Sequence, residues 1–159
     1  MAELNHQVPA DEHFRTPMTF VVQTEEQRAY PRFQLDVSVS FRNAAGNRCR
    51  GQVINISPDG LQVRCNFSAG QSLHPKGGKL CADTAPIVQV ALHLPVAGES
   101  KKVVAGAKLV YATTLDNDPN CVLGFKFLEL RPMAQRVLDG YFSERMAAFY
   151  EDDPQAAAN

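Results

Sequence analysis

Arg28 and Arg32 stand four residues apart in Gln27-Arg28-Ala29-Tyr30-Pro31-Arg32-Phe33. Asn55, Ser57 and Gly60 follow in Asn55-Ile56-Ser57-Pro58-Asp59-Gly60. A guanidinium donates bidentately to phosphate and to the O6/N7 edge of guanine. An arginine pair followed by a small polar turn therefore suits a compact, doubly anionic ligand with guanine edges. Pro31 forces Tyr30 away from helical dihedrals, so the arginine segment is extended or turned. On a flexible approach to a rigid body, such a pair forms a clamp. The entropy of ordering it is offset by charge-assisted hydrogen bonds. Each motif alone also has a plainer meaning. RxxxR can be a solvated strand entrance whose charges keep an edge soluble. Asn and Ser near a strand end bond local backbone, and Gly meets a turn's φ requirement.

The elements that must position these residues are mostly strands. Leu35, Val37, Val39 and Phe41 alternate with Asp36, Ser38 and Ser40, which predicts a half-buried strand. Asn43-Ala44-Ala45-Gly46-Asn47 predicts a hairpin turn, and Arg48 to Ile56 the return strand. Ser57-Pro58-Asp59-Gly60 is a turn, and Leu61 to Phe67 alternates again. Residues 68–86 read as a loop. Within them, His74-Pro75-Lys76-Gly77-Gly78-Lys79 lacks the spacing of a phosphate-binding P-loop. Strands resume at Ile87 to Leu94, Lys101 to Ala112 and Cys121 to Leu128, which argues for an antiparallel barrel or sandwich. A helix opens near Pro132. Its stripe of Val137, Leu138, Tyr141, Phe142, Arg145, Met146 and Phe149 either caps the barrel end or faces a partner. Residues 1–26 read as a mobile arm, with a short strand at Thr19-Phe20-Val21-Val22, and residues 151–159 as a frayed tail.

Composition narrows the function. The 159 residues carry a formal net charge of −1, so no global field attracts a long nucleic acid. Tryptophan is absent, leaving stacking to Tyr, Phe or Arg. Cys49, Cys65, Cys81 and Cys121 show no CxxC, and His6, His13, His74 and His93 are scattered, so no metal site is expected. The thiols read as small buried or half-exposed residues in a reducing compartment. Residues 1–17 lack a signal-peptide apolar core, and Met18 to Val22 is too short to span a bilayer. The expectation is a cytoplasmic protein. No Ser/His/Asp or Cys/His set stands out, so no catalysis is expected.

The two motifs in this order, followed by short strands and a terminal helix, resemble the PilZ domain, a bacterial receptor module for cyclic di-GMP. The resemblance covers residues 27–150 and includes Gly124-Phe125-Lys126-Phe127 before the helix. It implies an all-β fold with a terminal helix: a six-stranded antiparallel barrel capped by the C-terminal α-helix. It also implies that Arg28 and Arg32 hold guanine and phosphate groups, and that Asn55, Ser57 and the Gly60 backbone complete the site. Many members have Arg where Ala29 stands, and some where Gln27 stands. Those arginines often accompany a stacked ligand dimer, so one or two ligands per site stay open. Asn55 replaces the commoner Asp and removes a charge that would face a dianion. Tyr111 is either an aromatic ring against the ligand or a half-buried barrel tyrosine.

The reading that follows is a cyclic di-GMP receptor that signals through protein contact. Ordering of residues 1–33 over the barrel would be the switch. The ligand is cyclic di-GMP, no cofactor is implied, and the effector protein is unidentified. Two rivals remain. One is a ligand-independent adaptor, as in type IV pilus assembly. The other is a single-stranded nucleic-acid binder on a small barrel. Motility and biofilm formation are both compatible with the resemblance.

Overall fold

The computed structural model describes residues 30–74, 80, 83–114 and 118–152. Arg28, Cys81, His6, His13, the strand expected at 19–22 and most of the proposed tail lie outside the described residues.

The strands follow from alternation. β1 (Phe33–Gln34) and β2 (Ser38–Asn43) run along one edge of β3 (Arg48–Ser57). Leu35, Val39 and Phe41 point inward as their spacing predicts. The strand expected over 35–41 begins only at Ser38, and the short β1 precedes it at Phe33–Gln34. Leu35 N and Val37 O still bond Ile54 O and Val53 N, so the path stays on the β3 edge. The Asn43–Asn47 turn forms as expected. Gly46 takes φ +88°, and the Asn43 side chain accepts from Asn47 N at 2.9 Å.

β4 (Gly60–Asn66), β5 (Ile87–Val96), β6 (Glu99–Thr114) and β7 (Asn120–Phe127) complete the sheet. Its order is β1-β3-β2-β5-β6-β7-β4, and β4 pairs back onto β3. The result is a closed six-stranded antiparallel barrel with β1 as an added short strand. β5 and β6 run longer than expected and meet in a two-residue turn. Ala97 and Gly98 there take φ 53° and 75°, the signature of a type I′ turn.

Inside the barrel pack Val39, Phe41, Val53, Ile56, Leu61, Val63, Leu92, Leu109 and Leu123, all nearly inaccessible. Cys65 and Cys121 are register partners in β4 and β7, with their sulfurs 3.4 Å apart. That contact, with burial, raises the Cys65 thiol above its ordinary value.

One element falls where a loop was expected. α1 (Phe67–Leu73) is a short helix capped by Asn66, whose Oδ1 accepts from Ala69 N at 2.7 Å. It buries Ala69, Gly70 and Leu73. α2 (Pro132–Asp152) closes the described chain and packs against β5 and β6. Its buried face is Ala134, Leu138, Tyr141 and Phe142. Phe142 meets Phe33 at 6.1 Å between ring centroids, and Glu144 accepts from Ala97 N at 2.6 Å. Those contacts tie the helix to the β1 entrance and to the β5–β6 turn. The expected stripe is therefore trimmed: Phe149 is 50% exposed, whereas Leu138 is 1% exposed. The helix also runs into the proposed tail, through Glu151 and Asp152.

Candidate functional site

The turn at Pro58-Asp59 sets the site. It pairs Ser57 with Gly60, so Ile56 meets Leu61 inside the barrel and Asn55 meets Gln62 outside. On β7, Gly124 lies opposite Gln62 and also opposite Tyr111 of β6. Asn55, Gln62, Gly124 and Tyr111 therefore form one row across four strands.

Two bulges make that row possible. Val53 faces the core, and strict alternation would send Asn55 inward after it. An extra residue between Val53 and Asn55 turns Asn55 outward and returns Ile56 to the core. The same device between Leu109 and Tyr111 keeps the tyrosine out of the barrel.

Hydrogen bonds join the row from end to end. Arg32 Nη1 donates to Asn55 Oδ1 at 3.0 Å, and Asn55 Nδ2 donates to Gln62 Oε1 at 2.5 Å. Gln62 Nε2 in turn donates to the Tyr111 hydroxyl. Gly124 is the gap through which the tyrosine reaches. A Cβ there would overlap the Tyr111 ring. The row thus links the strand entrance, the turn motif and the late Gly-Phe-Lys-Phe element on one barrel wall.

The other motif residues shape the turn. Ser57 is buried, and its hydroxyl donates to the Asp59 carboxylate, with Gly60 O at 3.4 Å. Its side chain works on the loop. Gly60 backs onto β7 so closely that a Cβ would overlap the Phe125 carbonyl, while Phe127 N bonds Asp59 O at 2.8 Å. Among the sequence-proposed residues, the structure brings together Arg32, Asn55 and Tyr111 in one network, with Ser57 and Gly60 in the adjoining turn. Arg28 is outside the described residues.

Residue-by-residue reading missed Gln62, the relay between Asn55 and Tyr111, and Gly124 as its spacer. It also missed Arg64 and Lys126, which lie two positions from the row on β4 and β7. Both are exposed and outward, at about 7 Å along the strands on either side. The alternation of Leu61, Val63 and Cys65 was the available signal for Gln62 and Arg64. Among the described residues, no group of His, Cys, Asp and Glu could hold a metal ion. No described helix is long and apolar enough to cross a membrane.

A profile of the PilZ domain matches residues 26–144, and the chain belongs to that family. No curated protein sequence matches the chain significantly. Solved structures share the fold. Bacillus subtilis MotI/DgrA, described as an inhibitor of motility, superposes with a TM-score of 0.58 at 16% identity, over 76% of this chain and 52% of its own. The Escherichia coli YcgR PilZ domain with c-di-GMP gives 0.50 at 18% identity, over 80% of this chain and 98% of that domain. The K. pneumonia MrkH–c-di-GMP complex gives 0.54 at 14% identity, over 79% and 55%. The chain thus spans about half the length of MotI/DgrA and MrkH. At these identities the likeness is one of fold.

Proposed function

We propose that this chain is a cyclic di-GMP receptor that passes its signal by protein contact. The observation that carries the reading is the continuous hydrogen-bonded row from Arg32 through Asn55 and Gln62 to Tyr111. It places an arginine of one motif on the asparagine of the other, and an aromatic ring at the far end. Arg28 and Arg32 supply the bidentate donors for guanine and phosphate. Asn55 and Gln62 fix the arginine and the tyrosine in register. Ser57 and Gly60 hold the turn that presents the row. Arg64 and Lys126 add positive charge on either flank. Structural relatives described as complexes with c-di-GMP share the barrel and support the ligand class.

The ligand draws the segment ahead of β1 onto this wall. Arg32 is followed directly by Phe33, which touches Phe142 of α2, so closure is felt at the helix. Isothermal titration with cyclic di-GMP tests the reading and gives the ligand-to-protein ratio. Saturable binding is the expected result. Absence of heat at millimolar ligand would leave the ligand-independent adaptor as the function.

A further inference from the structure

We propose that the barrel wall formed by β2, β3, β5 and β6 is a docking surface for an acidic segment of a partner protein. It rests on the reading above that the chain signals by protein contact, and it names the chemistry of that contact.

The surface follows from the register. Arg48 lies opposite Arg42, which lies opposite Gln89. In the next row Arg50 lies opposite Ser40, Ser40 opposite Ala91 and Ala91 opposite Val104. Lys102 on β6 follows one row further on, opposite His93. Alternation turns all of these outward, since Val39, Phe41, Val90, Leu92 and Val103 between them are buried. Ser40 and Ala91 are short, so the wall dips there into an open trough of about 510 Å³. Arg42, Arg48, Arg50 and Lys102 stand around it.

Among the described residues, no carboxylate lines the trough. Among the described residues, no ion pair engages any of these four cations; Arg42 is held by Gln89 Oε1 at 3.2 Å. Gathered like charges repel one another, and an anionic surface relieves that repulsion while steering its own approach.

Dimensions and chemistry select the occupant. From β3 to β6 is three strand spacings, about 14 Å, too wide for a single phosphate or carboxylate. An extended run of acidic side chains spans it, and arginine binds carboxylate bidentately. Single-stranded nucleic acid would need exposed rings for its bases. Among the described residues lining the trough, the one aromatic is Phe41, buried with its ring 5.7 Å from that of Phe125 in the core. The chain's net charge of −1 also supplies no long-range attraction for a polynucleotide.

The test uses the full chain and a fluorescein-labelled peptide of alternating Glu and Ser, about ten residues long, enough to cross the trough extended. Anisotropy is read at about 50 mM salt, where screening is modest, beside an oligothymidylate of equal charge. The peptide should bind the wild type. Arg48→Glu with Arg50→Glu should weaken it by about 10-fold or more, and Lys102→Glu on the opposite bank should weaken it independently. Melting temperatures should hold, because all three residues are exposed. No peptide binding by the wild type, or equal binding by the variants, overturns the proposal. Oligothymidylate binding as tightly as the peptide, and lost in the variants, overturns it in favour of nucleic acid. A cyclic di-GMP titration of the same proteins reads the ligand site separately. Heat without peptide binding removes only the docking surface, and peptide binding without heat removes only the ligand.

Discussion

Arg32 enters the barrel half-exposed and reaches Asn55 through one guanidinium nitrogen, so it contributes little to the core. Arg32→Ala should weaken cyclic di-GMP binding by about 1–3 kcal/mol, the worth of a bidentate guanine contact. Its cost in stability should be about 1 kcal/mol, the net value of one hydrogen bond. Calorimetry and thermal melting on the same sample separate the two, and unchanged affinity would remove Arg32 from the site. Gly60 is the opposite case. A methyl group there strikes the Phe125 carbonyl, which is backbone and cannot swing aside. Gly60→Ala should destabilise the domain by about 1–3 kcal/mol, as overpacking does. A wild-type melting temperature in that variant would mean that β4 and β7 separate freely at the turn. The sequence carries these two roles unequally. Counting back through the two-residue turn from Ser57 and Gly60 pairs Asn55 with Gln62, so that contact was readable. The Tyr111 hydroxyl was not, because its place depends on a bulge and on Gly124 lying between it and Gln62.

At the scale of elements, α2 divides in two. Its first half buries Ala134, Leu138, Tyr141 and Phe142, and its second half carries Phe149 and Tyr150 largely exposed, their rings 5.7 Å apart. Leu138→Asp would put an unpaired charge under the helix and should cost about 3 kcal/mol or more. Phe149→Asp should leave the melting temperature within a degree or two, since surface changes stay within about 0.5 kcal/mol. Equal losses in both would mean that the whole helix is packed in solution. Alternation made the strands legible because one face of each is buried. Periodicity cannot show where alternation is interrupted, and both site bulges are such interruptions. The short helix after β4 was missed for a different reason. Ser68, Gly70 and Ser72 are weak helix formers, and its stability comes from the Asn66 cap and burial of Leu73 against the barrel. The long stripe on α2 misled at its end, since apolar spacing shows which face could be buried but not how far the barrel extends beneath it.

At the scale of the molecule, β3 joins three regions. Its start carries Arg48 and Arg50 on the basic wall, its end carries Asn55 and Ser57 at the site, and β1 pairs with that end. The barrel is closed and its core is packed, so ligand binding has little to gain by reshaping it. The proposed response therefore rests on the chain just ahead of β1, where Phe33 follows Arg32 and its ring meets that of Phe142. Amide hydrogen exchange should therefore slow across residues 24–34 when cyclic di-GMP is added, with a smaller effect at Asn55 to Gly60. Exchange in β5 and in the β5-facing half of β6 should change little, because these strands are already protected by packing. Uniform slowing over the whole barrel would report only mass-action stabilisation of the folded state, about 2.7 kcal/mol at a hundredfold excess over Kd. Unchanged exchange at 24–34 under saturating ligand would show that the messenger binds without drawing this segment in. The signal would then have to leave through the row itself, from Tyr111 on β6 to the strands beside α2.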